Sequence, residues 1–175
     1  MASPYGFADS TREFIKILKD LLVREKFEPV DPWDLTSPNE IAKVESISDP
    51  SRRAAEWSKL NRTIGERNRA ALDSCDWVLG CLDGPDVDSG TASEIGYAFG
   101  VGKRIIGYRG DFRLSGDNEG TIVNLQVQYW IEASGGTIVR SLEDLARTVH
   151  LDKSKAGNQV QAAGGQRATI NQKLH

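Results

Sequence analysis

Nothing in the sequence approaches the roughly 20 consecutive apolar residues of a membrane span, and no basic segment followed by an apolar stretch opens the chain. No membrane association is expected. A basic stripe is missing too: 22 Lys and Arg stand against 25 Asp and Glu, a formal net charge of -3. Phosphate neutralisation needs clustered cations, so nucleic acid is not an expected partner and a small, weakly charged ligand is. Cysteine is scarce. Cys75 and Cys81 flank an expected buried strand, where free thiols behave as small hydrophobes, in keeping with a reducing compartment and with neither a disulfide nor a metal. A soluble, cytoplasmic protein follows as the expectation.

What is present is enough for one domain. The chain has 175 residues, and a chain of that size buries roughly 70% of its unfolded surface. Short aromatic and branched aliphatic runs fill the first 150 positions. Ser10-Thr11-Arg12-Glu13 reads as a capping box, and Phe14, Ile17, Leu18, Leu21 and Leu22 follow at helical spacing, predicting a helix over 10–25. Phe27 to Val30 reads as a short strand. The stretch from Asp31 to Pro50, with Pro32, Pro38 and Pro50, reads as loop, and it carries Trp33, which is either a pocket wall or a hydrophobic plug.

Residues 51–74 form a helical pattern with a possible break at Gly65. Trp77 to Leu82 is a continuous apolar run, expected of a parallel strand covered on both faces. Helices over Thr91–Val101, Val123–Ala133 and Ser141–His150 then alternate with strands over Arg104–Tyr108 and Thr137–Val139. The alternation predicts a doubly wound, flavodoxin-like parallel α/β sheet in a single domain over 1–150. Residues 151–175, rich in Gln, Gly, Ala and Lys, read as a flexible polar tail. Such a sheet normally opens with a strand, yet only Met1, Ala2 and Ser3 precede Pro4. The first strand therefore reads as truncated, a stub or one whose start lies upstream.

Chemistry concentrates after the Trp77–Leu82 strand. Asp83-Gly84-Pro85-Asp86-Val87-Asp88-Ser89-Gly90-Thr91-Ala92-Ser93-Glu94 puts four carboxylates at the carboxyl end of a parallel strand, where ligands bind in open α/β sheets. Asp83, Asp86 and Asp88 would repel a phosphate, so a neutral, hydroxyl-rich ligand fits better. A calcium loop starting at Asp86 would place Gly90 and Tyr97 where oxygen ligands should stand. Glu94 has two readings. Thr91 to Glu94 is itself a capping-box pattern. A carboxylate at a helix start beside a second carboxylate, with Tyr97 one turn on, also has the elements of glycosyl transfer, which needs an anionic nucleophile and a proton donor.

Asp83-Gly84, Asp88-Ser89-Gly90-Thr91, Glu94-Ile95-Gly96-Tyr97-Ala98, Lys103-Arg104-Ile105-Ile106 and Asp111-Phe112-Arg113, in that order, resemble the nucleoside 2-deoxyribosyltransferase family. Ala2-Ser3-Pro4-Tyr5-Gly6-Phe7 resembles the end of that family's first strand and the loop after it, so the likeness covers about residues 2–150. It implies that Glu94 forms a covalent 2-deoxyribosyl intermediate and that Asp88 contacts sugar hydroxyls or assists proton transfer. It places Asp83, Gly84, Asn68, Gly90, Tyr5 and Phe7 around the substrate. It also implies that Asn124 reaches the sugar 5′-hydroxyl in a neighbouring subunit's site, hence a homo-oligomer; read from sequence alone, Asn124 is equally a helix N-cap. The implied substrates are 2-deoxynucleosides and free nucleobases, with no cofactor. Asn68 departs from the pattern, standing where some members carry an aspartate that handles the leaving base; an amide cannot be a general acid. A hydrolase that passes the same intermediate to water, and a non-catalytic nucleoside-binding module on the same fold, are the alternatives.

Overall fold

The computed structural model describes residues 1–153, and the expected tail lies outside the described residues except for 151–153, which continue the last helix. The order is a 3₁₀ turn Tyr5–Phe7, α1 Asp9–Arg24, a 3₁₀ turn Pro32–Asp34, α2 Pro38–Glu45, α3 Pro50–Ser74, β1 Trp77–Cys81, α4 Ser89–Gly100, β2 Arg104–Tyr108, α5 Leu125–Ala133 and β3 Ile138–Val139. A helix over 142–153, α6, closes the described residues.

The three strands pair in parallel in the order β1-β2-β3, with Trp77 opposite Arg104 and Gly107 opposite Ile138. Alternation along the strands splits the core in two. Leu79, Cys81, Ile106 and Tyr108 face α1 and α6, packing on Leu18, Leu21, Leu145 and Val149. Val78, Leu82 and Ile105 face α4 and α5, packing on Ile95, Ala98, Val127 and Ile131. Gly80 permits the second contact, since a Cβ there would lie 2.7 Å from the Ile95 side chain. The doubly wound α/β sheet is thus observed, with helices covering both faces.

On the free side of β1 the chain contributes one residue. The Ala2 N–H donates to the Leu79 carbonyl and the Ala2 carbonyl accepts from the Cys81 N–H, both at 2.8 Å. The opening strand is therefore a stub among the described residues.

The segment 27–50 departs from its sequence reading. Phe27 to Val30 forms no strand. Its links are Phe27 N–H to the Leu22 carbonyl, a helix-end bond, and the Met1 ammonium to the Val30 carbonyl at 2.6 Å. The Asp31–Pro50 stretch is not mainly loop. Pro32, Pro38 and Pro50 each begin a helical turn, where a missing N–H costs nothing. The residue ahead of each, Asp31, Ser37 or Asp49, caps that turn with its side chain. Prolines read as loop markers are thus helix-start markers. The Ser10–Glu13 capping box does not form: α1 starts at Asp9 behind Ala8 with no side-chain cap. α3 runs through Gly65 unbroken for 25 residues.

Candidate active site

The loop from β1 to α4 leaves the sheet at its carboxyl end and is held by interactions that leave two carboxylates for the cleft. Asp88 caps α4: its Oδ2 accepts from the Thr91 N–H at 2.9 Å and from the Thr91 hydroxyl at 3.3 Å. Asp88 Oδ1 has no bond among the described residues. Thr91, the third helical residue, is thereby buried. Glu94 falls one turn further on, too far from the cap to fold back onto it. It is half-buried and makes no hydrogen bond or ion pair among the described residues.

Glu94 and Asp88 share a cleft of about 250 Å³ with Asn68 of α3, Gly90 of α4, and Phe7 and Trp33 from the two 3₁₀ turns. Ser3, Pro32, Ile64 and Thr91 complete its walls. Glu94 and Asn68 also border a smaller apolar pocket of about 90 Å³ beside Leu72, Cys75 and Val78. Burial raises the Glu94 carboxyl above its ordinary range; the N-terminal ammonium opposes that shift and the Asp88 charge adds to it. A carboxyl group with no hydrogen bond has its oxygens free to attack a bound ligand once it is ionised.

Asp83, Gly84 and Tyr5 lie outside the cleft lining. Asp83 accepts from the Tyr5 hydroxyl at 2.6 Å and from the Asp111 N–H at 2.8 Å, engaging both its oxygens. Burial, with the Asp83 contact adding to it, pushes the Tyr5 hydroxyl far above its usual range, so it stays a donor. These groups tie the N-terminal loop to the ends of β1 and β2. Gly84 has φ +126°, which only glycine adopts readily, and its carbonyl accepts from Arg109 at 3.1 Å. Tyr97 turns to α3, donating to Asp73 at 2.6 Å. Asn124 caps α5, its Oδ1 accepting from the N–H groups of Gln126 and Val127 at 3.0 and 3.3 Å.

Arg109 had no part in the sequence reading, yet it braces the site. It is fully buried and donates to the carbonyls of Leu82, Gly84 and Arg113, and its charge helps to lower the Asp111 carboxyl. Its one sequence signal is a charged residue directly after the apolar run Ile105–Tyr108. Cys81 is buried, and burial pushes its thiol up to about 12, which removes it as a nucleophile. Among the described residues no three His, Cys, Asp or Glu side chains are grouped to hold a metal ion, and no helix is long and apolar enough to cross a membrane.

Comparison with known proteins bears on the fold and on the family. A crystal structure of a conserved protein from Enterococcus faecalis superposes with a TM-score of 0.55 at 18% identity, covering 86% of this chain and 95% of that one, a likeness of fold. An uncharacterised protein of Schizosaccharomyces pombe is 42% identical over 55 residues, 29% of this chain. The chain spans only 26% of that relative's length. The family profile described as nucleoside 2-deoxyribosyltransferase matches residues 1–126, which include the whole cleft with Asp88 and Glu94. The chain therefore belongs to the nucleoside 2-deoxyribosyltransferase family.

Proposed function

We propose that this protein transfers a 2-deoxyribosyl group between nucleobases through Glu94. The observation that carries the reading is the unbonded, half-buried Glu94 carboxylate in the wall of a cleft it shares with Asp88. A Glu94 oxygen attacks C1′ of the bound deoxynucleoside. The C1′–N bond breaks, its electron pair leaves with the base, and the base takes a proton from Asp88 or from water. The product is a deoxyribosyl ester of Glu94. A ring nitrogen of the incoming base then attacks C1′, releases the Glu94 carboxylate and returns a proton to the group that supplied one in the first step, Asp88 or water. Two displacements restore the starting anomeric configuration.

Asp88 serves this scheme through Oδ1, since Oδ2 is committed to the helix cap. The Asn68 amide pairs with the base edge by donating and accepting, without acting as an acid. Phe7 and Gly90 bound the same space, whereas Tyr5, Asp83 and Gly84 support it by fixing the loops. Free cytoplasmic nucleosides and bases are the proposed substrates. A homo-oligomer is proposed with them, Asn124 reaching the neighbouring site. α3 supports the oligomer: no residue in its 25 is buried, although it carries Trp57, Leu60 and Ile64. Light scattering that gives the monomer mass would remove that part.

The decisive experiment incubates the protein with deoxyinosine or thymidine, with and without adenine, and follows products by liquid chromatography. Deoxyadenosine formed only with adenine supports exchange. Free deoxyribose formed without adenine identifies a hydrolase, and an inverted product excludes the glycosyl-Glu94 route.

A further inference from the structure

Trp33 is an aromatic side chain in an unusual position: 41% exposed, yet immobilised on several sides. Its indole N–H donates to the Ser3 carbonyl at 3.1 Å. Its backbone N–H donates to Asp31 at 3.2 Å. The ring lies so close over Gly6 that a Cβ there would come within 2.2 Å of it. Phe7 meets it edge-on with centroids 4.6 Å apart. Asp31 is itself 3% exposed and is ion-paired to Lys19 at 2.8 Å.

Holding a half-exposed indole this firmly is of little use to the core, because the ring belongs to neither buried cluster. It is useful to a ligand, since a planar partner then loses no freedom in ordering its platform. The cleft that Trp33 walls also contains Asn68, whose side-chain oxygen is buried without a hydrogen-bond partner among the described residues. An unpaired acceptor beside a cleft calls for a donor on the ligand edge. A flat face plus a hydrogen-bonding edge is the chemistry of a nucleobase.

We propose that Trp33 is the wall on which the nucleobase stacks, with Phe7 behind it, and that the Lys19–Asp31 pair is the positioning device that holds it. The proposal rests on the transferase reading for the identity of the ligand as a base, and on the geometry alone for the stacking. Stacking is equal before and during bond cleavage, so its loss raises KM and leaves kcat nearly unchanged.

The test is a titration with free adenine, read by tryptophan fluorescence without turnover. Adenine should quench the emission of the wild-type chain, and Trp33→Phe should lose that quench while Trp57, Trp77 and Trp130 remain. An equal quench in Trp33→Phe overturns the proposal. Trp33→Leu should weaken adenine about five- to hundredfold, and unchanged affinity also overturns it. Asp31→Asn should raise KM with kcat preserved, and should add nothing in the Trp33→Leu background. An additive effect there overturns the positioning role. Quenching persists if Trp33 is the wall and Glu94 is not the nucleophile. Exchange that depends on Glu94 but spares Trp33 leaves the transferase reading and removes the wall.

Discussion

The starts of α2 and α4 carry the same four-residue pattern, Ser37-x-x-Glu40 and Thr91-x-x-Glu94, and use it in opposite ways. In α2 the Ser37 hydroxyl caps the Glu40 N–H and the Glu40 carboxylate returns to the Ser37 N–H at 3.0 Å, a closed capping box. Arg67 adds two bonds to Glu40 at 2.8 and 3.1 Å. In α4 the cap is taken three residues earlier by Asp88, so Thr91 lies inside the helix and Glu94 has nothing to cap. One glutamate is spent on structure and the other is left without a hydrogen bond among the described residues. A third copy, Ser10 to Glu13, closes no box; Glu13 only approaches Lys16 at 3.7 Å on the surface. What separates the three is the distance from the true cap: Ser37 is the cap itself, whereas Thr91 follows the cap at Asp88 and Ser10 follows the cap at Ala8.

The comparison breaks most visibly at Glu94. Glu94→Gln should lower base exchange by at least about a thousandfold, the scale for removing a nucleophile, while nucleoside affinity by calorimetry is kept. Glu13→Gln should leave exchange as it is. The same Glu94→Gln change should raise thermal stability at pH 8 and not at pH 4. A carboxyl raised by burial costs the folded state stability as pH climbs past its ordinary value, 4.5, and glutamine has no such cost.

Asp88 tests the middle of the comparison. Asp88→Asn keeps a good cap but removes a charge that raises the Glu94 carboxyl. On the proposed route Glu94 reacts ionised, so the acid limb of kcat/KM should move to lower pH in whatever activity remains. Asp88→Ala should in addition cost about 1 kcal/mol by denaturant titration, the usual value of a lost cap.

At α2 the effects should be confined to stability. Ser37→Ala should cost about 1 kcal/mol. Arg67, first, and the Ser37 N–H hold the Glu40 carboxyl down at about 2. Its contribution is present above the ordinary 4.5 and is lost as pH falls toward 2, so the stability difference between wild type and Glu40→Gln should shrink across that window. Smallest of all, Ser10→Ala should change stability by less than about 0.5 kcal/mol.

Elements whose signal is local and repeated were legible. The apolar runs of β1 and β2 and the helical spacing of α1, α3 and α4 are periodic over many residues, so several side chains vote for one conformation. The segment 27–50 was misread because its signals are ambiguous: proline ends a helix from inside but starts one from its first position. Phe27 to Val30 has the composition of a strand and lacks only a neighbouring backbone to pair with. The candidate site residues divide into two groups. Glu94, Asp88, Asn68, Gly90 and Phe7 meet in one cleft, while Tyr5, Asp83 and Gly84 tie loops together around it. Arg109 was invisible because three backbone carbonyls from separate stretches of chain define its role.

By itself the sequence determined the alternating α/β architecture, the parallel sheet and the family, because periodicity and an ordered set of motifs are properties of the chain taken locally. Which of three similar glutamates is left unbonded was decided by tertiary structure. Only there do the cap at Asp88, the buried turn at Thr91 and the wall from Trp33 and Asn68 come together, and a carboxylate's availability depends on what surrounds it rather than on its neighbours in sequence.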